Sequence, residues 1–142
     1  MKIFSKSLVL IVLLIPVLTV NGGNSGHSHK HGHDRIEASS FESIPKVSFE
    51  VLKDAVVGWN IHVTTKNFRF SPENINKEPI EGEGHAHLYV DGKKISRLYG
   101  AWFHLSNLSS GSHTIRVTLN GNNHAELVLN GKNIEDSKEV IQ

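Results

Sequence analysis

Histidine is the residue type on which this chain spends most of its chemical capacity, with ten in 142 residues and no cysteine. Two of them sit in Gly84-His85-Ala86-His87-Leu88-Tyr89-Val90-Asp91-Gly92, a stretch that reads as a strand running into a tight turn. Alternation along a strand puts Ala86, Leu88 and Val90 on one face and His85, His87 and Tyr89 on the other. Residues two apart on one face lie roughly 6.5–7 Å apart, a spacing from which two imidazoles can converge on one metal ion.

The same phase test applies to the other histidines. Trp59, Ile61 and Val63 form an apolar set that leaves His62 on the polar side, and Phe103 with Leu105 leaves His104 beside Trp102. Reading His124–Leu129 as a strand, Ala125, Leu127 and Leu129 face inward and His124 lies with Glu126 outside. His113 is in phase with Ile115, Val117 and Leu119, so it is expected to be a core histidine hydrogen-bonded to backbone. The expected metal ligands are therefore His85 and His87, joined by His104 and His62, then His124, with Glu83 and Glu126 as carboxylate contributors. Catalytic zinc sites often combine three protein ligands with an open position, and imidazole with carboxylate suits Cu(II) or Zn(II). A blue-copper site needs a cysteine thiolate, which this chain lacks, and its one methionine is Met1.

A second histidine group, His27, His29, His31 and His33, occupies every other position ahead of Asp34. The segment 23–44 is dominated by Gly, Asn, Ser, His and charged residues, so it reads as a disordered tether whose imidazoles gather an ion loosely. Ahead of it, Lys2 and Lys6 precede an apolar run from Leu8 to Val20, which reads as a signal peptide over residues 1–22 rather than a membrane span. Secretion or transfer to a periplasm is expected, with no transmembrane segment after cleavage. Lys and Arg number 15 against 14 Asp and Glu, and removing Lys2 and Lys6 reverses the sign, so nothing favours a nucleic-acid partner.

Residues 45–142 must position the histidines. Period-two patterning predicts strands at Lys46–Leu52, Trp59–Thr65, Asn67–Phe70, Gly84–Val90, Ile95–Tyr99, Ala101–Leu105, His113–Leu119, His124–Leu129 and Ser137–Ile141. Asp91-Gly92, Asn120-Gly121 and Asn130-Gly131 are hairpin turn dipeptides, since both central positions of a type I′ turn need positive φ. The expectation is an all-β fold, a single immunoglobulin-like antiparallel β-sandwich.

Four segments carry a resemblance: Gly58-Trp59-Asn60-Ile61-His62-Val63, Gly84 to Gly92, Leu98-Tyr99-Gly100-Ala101-Trp102-Phe103-His104-Leu105 and Gly111-Ser112-His113-Thr114-Ile115-Arg116-Val117. In this order they resemble an uncharacterised family of small exported immunoglobulin-like domains. The resemblance implies a β-sandwich and an extracytoplasmic location, and brings no activity with it.

The reading is an exported domain that binds or buffers a divalent transition metal, Cu(II) or Zn(II). Two others stay open: a non-catalytic module contacting another exported protein or a glycan, its histidines incidental, and a His-ligated metal-dependent enzyme. The chain shows no nucleophile elbow, and Gly82-Glu83-Gly84 is too acidic to cradle phosphate.

Overall fold

The computed structural model describes residues 34–142; the expected signal peptide and His27, His29, His31 and His33 lie outside them. Eleven strands make up the described residues: β1 (Arg35–Glu37), β2 (Lys46–Lys53), β3 (Trp59–Lys66), β4 (Arg69–Phe70), β5 (Glu83–Val90), β6 (Lys93–Leu98), β7 (Trp102–Leu105), β8 (Ser112–Asn120), β9 (Glu126–Leu129), β10 (Lys132–Asn133) and β11 (Glu135–Ile141). Two short 3₁₀ turns, Ala38–Ser40 and Pro72–Asn74, complete them. Among the described residues no helix is long and apolar enough to cross a membrane.

The strands form two sheets in a sandwich-like arrangement. The smaller is β2-β3-β7, antiparallel throughout. In the larger, β5 lies between β8 on one edge and β4 with β6 on the other. Strand β8 also pairs with β11 and, at its end, with β9, which carries β10 and β1. Ile61, Val63 and Phe49 from the smaller sheet meet Ala86, Leu88, Ile115, Val117 and Leu119 from the larger, and removing this apolar surface from water supplies the main drive for closure. All but Phe49 are the in-phase apolar positions of the sequence reading.

The larger sheet is mixed rather than antiparallel, because β1 runs parallel to β9 and β4 parallel to β5. Hairpin geometry dictates neither pair. Residues 71–82 form a crossover of about a dozen residues between β4 and β5, the length that a parallel neighbour requires. The folded body also begins earlier than residue 45. Ala38 is fully buried, and Ile36 and Phe41 pack against the core, so three apolar residues spaced among polar ones suffice to anchor a segment whose composition reads as tether.

Asp91-Gly92 and Asn130-Gly131 do adopt positive φ at both positions. Asn120-Gly121 does not. Asn120 stays in β8, fully buried and paired with Glu126, and residues 121–125 form a longer loop whose left-handed residue is His124, at φ 70°.

Gly84 opens β5 immediately before His85. A Cβ there would run into the Asn120 carbonyl of the neighbouring strand, so the close pairing of β5 with β8 at this end depends on a bare α-carbon. Gly84→Ala is expected to destabilise the fold by about 1–3 kcal/mol through overpacking, read as a lowered denaturation midpoint at unchanged slope. An unchanged midpoint would show that the strands separate there without cost.

Candidate metal centre

Strand β5 is buried on both faces. Its apolar side chains face the smaller sheet, while His85 and His87, on the opposite face, are 0 % and 1 % exposed. The two histidines are thus off the apolar face as their phase requires, yet not in solvent, because two loops close over them. Residues 71–82 are tied to the 121–125 loop by the Asn76 amide donating to the Asn122 carbonyl at 2.9 Å and by the Ser71 hydroxyl donating to Asn122 Oδ1 at 2.9 Å. The Tyr99 ring lies 5.7 Å from that of His85.

The 121–125 loop delivers a third imidazole. Asn120 Nδ2 donates to the His124 carbonyl at 3.2 Å, and the left-handed backbone of His124 turns its ring back over β8 toward β5. His85 Nε2 then lies 2.9 Å from His87 Nε2 and 3.1 Å from His124 Nδ1. One nitrogen from each of His85, His87 and His124 falls within a group whose members all lie within 4.8 Å of one another.

The partners of these rings decide which nitrogens carry lone pairs. His124 Nε2 donates to Asn76 Oδ1 at 2.6 Å, which leaves Nδ1 unprotonated and aimed at His85. Lys94 Nζ donates to His87 Nε2 at 3.3 Å, so that nitrogen also presents a lone pair. In neutral rings a single proton, on His85 Nε2, is therefore all that sits among three inward nitrogens. A divalent cation would replace that one proton and be met by three lone pairs. The Nδ1 atoms of His85 and His87 are buried and meet no hydrogen-bonding partner among the described residues, a cost of about 1–3 kcal/mol each that a core built only for stability would avoid.

Lys94 reaches the cluster through a β-bulge. The β5–β6 register shifts between Leu88 and Tyr89, so that Lys94 rather than Ile95 opposes Tyr89 and shares the histidine face. Arg97 opposes His87 from the same strand. Burial first, then the neighbouring positive groups, brings the His85 pKa down to about 4 and that of His87 to about 3. His124 is lowered in the same way, by burial and then by Arg97 and Lys94, and burial also lowers Lys94.

The other expected ligands lie elsewhere. His62 and His104 are on β3 and β7, in the smaller sheet, where His62 stacks on Trp102 at 4.1 Å and His104 Nδ1 lies 3.0 Å from Asn60 Oδ1. Both have the outward phase expected of them, but the outward faces of two packed sheets point away from each other. Neither carboxylate joins the cluster: Glu83 Oε1 binds Arg69 at 2.6 Å and Oε2 accepts from Asn74 at 2.8 Å, while Glu126 pairs with Arg35 at 3.9 Å. His113 is buried as expected, with Nε2 2.9 Å from the Ser109 carbonyl, and its Nδ1 also meets Asp91 at 2.6 Å, which raises its pKa. Sequence reasoning missed Asn76, Lys94 and Asn120; the loop crossover brings Asn76, the bulge brings Lys94, and Asn120 comes by its pairing with His85 across β8 and β5, and none of these leaves a periodic signal.

Comparison with family models, with curated proteins and with solved structures finds no match for this chain.

The depressed histidine pKa values set an acid limit on the metal-free fold. Unfolded histidines titrate near 6.5, so between pH 6.5 and about 4 the unfolded chain holds protons that folded His85 and His87 refuse, and stability must fall as pH falls. Each contributes a slope of about 1.4 kcal/mol per pH unit near pH 5. Denaturant titrations of metal-free protein from pH 7 to 4 should show this loss, and His85→Gln with His87→Gln should flatten it. A parallel pH dependence in that variant would place the acid sensitivity elsewhere.

Proposed function

We propose that the protein binds a divalent transition metal at His85, His87 and His124 and acts outside the cytosol as a metal-capturing or metal-buffering domain. One observation carries this reading: three imidazole nitrogens from β5 and the 121–125 loop converge in a buried place where only a single proton separates them. His124 has the feature expected of a ligand, its second ring nitrogen held by Asn76.

An all-imidazole donor set suits Cu(II) or Zn(II), and affinities at such sites follow the Irving–Williams order, in which Cu(II) stands highest. An all-nitrogen donor set with no thiolate supports the oxidised ion, which the oxidising conditions of an exported immunoglobulin-like domain would maintain.

A second reading rests on a different face. Trp102 is 62 % exposed and held flat against His62, a rigid aromatic platform of the kind that contacts another exported protein or a glycan. It makes no use of the three clustered histidines, so the two readings separate by mutation.

Calorimetric titration of the full chain with Cu(II) and with Zn(II) should give one tight event for Cu(II), abolished by His85→Ala with His87→Ala and unaffected by Trp102→Ala. Lys94→Met, which removes a competing cation from the edge of the cluster, should tighten binding about tenfold or more. Tight binding that survives the loss of both β5 histidines would remove the folded metal site.

A further inference from the structure

The three imidazoles are neutral donors, and no carboxylate joins them in the cluster. The chain has no Asp or Glu before Asp34, so all its carboxylates lie within the described residues. The two nearest in sequence are engaged elsewhere, Glu83 with Arg69 and Asn74 and Glu126 with Arg35. A divalent ion seated here would keep its full charge and stand one ligand short of four-coordination.

The surroundings add positive charge instead of cancelling it. On the β8 side, Thr118 and Asn120 oppose His87 and His85, are buried, and are hydrogen-bonded to each other at 2.9 Å, so that side is shut. On the β6 side, Arg97 opposes His87 and Lys94 Nζ lies 3.3 Å from His87 Nε2, and both residues are exposed. Neither forms an ion pair among the described residues. The open side of the cluster thus carries two cations and no anion, an arrangement that repels a bare metal ion and attracts a negative group placed between them.

We propose that the metal at His85, His87 and His124 binds together with a small carboxylate-type anion, bicarbonate or the carboxylate of a small organic acid, one oxygen taking the fourth position on the metal and the other facing Arg97 and Lys94. The inference rests on the metal reading of those three histidines. A planar guanidinium matches an anion with two oxygens, whereas a halide offers it a single point. Lys94, displaced from His87 by the entering ion, gains a partner for its ammonium. The anion supplies the negative charge that the chain withholds, so metal and anion each tighten the binding of the other by the same factor.

The test uses the full chain with one equivalent of Cu(II), its affinity read against a competing chelator and referred to free Cu(II), in perchlorate, chloride, acetate or bicarbonate at one ionic strength. Acetate and bicarbonate should tighten binding at least about tenfold over perchlorate, the worth of one hydrogen bond to a charged group. A gain with one of the two alone supports the inference and names the source. Arg97→Gln should remove the gain while raising affinity in perchlorate. Pulsed electron paramagnetic resonance should show the carbon of isotope-labelled acetate coupled to the copper in the native chain and not in Arg97→Gln. An equal gain in chloride overturns the carboxylate assignment. No gain in any anion, or a gain that Arg97→Gln retains, overturns the inference, and if His85→Ala with His87→Ala still abolishes binding the metal site is spared. Tight binding retained without His85 and His87 overturns both. His124→Ala, at a loop position, repeats that arm should the buried double variant fail to fold.

Discussion

Strand β5 has to be buried on both faces, and most of the architecture follows from how its second face is covered. The first face, Ala86, Leu88 and Val90, is closed by the smaller sheet in the ordinary way. The second carries His85 and His87, which cannot be closed with apolar residues without stranding four ring nitrogens. Polar loops do the covering instead: residues 71–82 and 121–125, joined to each other through Asn122. The cover leaves the Nε2 atoms facing one another and a third imidazole, and leaves the two Nδ1 atoms unpartnered.

That environment also decides the charge state. Desolvation and the nearby Lys94 and Arg97 both penalise imidazolium, so the rings stay neutral well below the pH at which exposed histidines protonate. Neutral imidazole is the form that ligates a metal. The positive neighbours would work against a cation in the site, and Lys94 would have to swing from His87 for an ion to enter; its flexible stem makes that movement cheap. The two effects would act in opposite directions on affinity: excluding protons keeps the lone pairs available, and the positive neighbours weaken the attraction for a metal.

The smaller sheet carries an independent arrangement, away from the three clustered histidines. His62 and Trp102 stack across β3 and β7, and His104, Asn60 and Asp54 follow in a hydrogen-bonded row. Histidines of the same outward phase are thus buried on one sheet and left at or near the surface on the other, because loops 71–82 and 121–125 fold over the outer face of the larger sheet.

Much of this was legible from residue order alone. Alternation of Ala86, Leu88 and Val90 with His85, His87 and Tyr89 is a local property of an extended backbone, and so is the pairing of two imidazoles on one face. The all-β class and the core sets of β3, β5 and β8 follow from the same period of two, and the absence of cysteine excluded thiolate chemistry outright. What the linear pattern could not contain was which sheet each strand joins. Phase says only that a side chain points away from its own core, so His104 and His62 ranked ahead of His124 until the sheets separated them. His124 itself reaches the cluster through a left-handed turn rather than as a strand residue, and Asn76 and Lys94 arrive by a crossover and a bulge. These are long-range juxtapositions, set by how the loops pack once the sandwich has closed, and no period in the sequence encodes them.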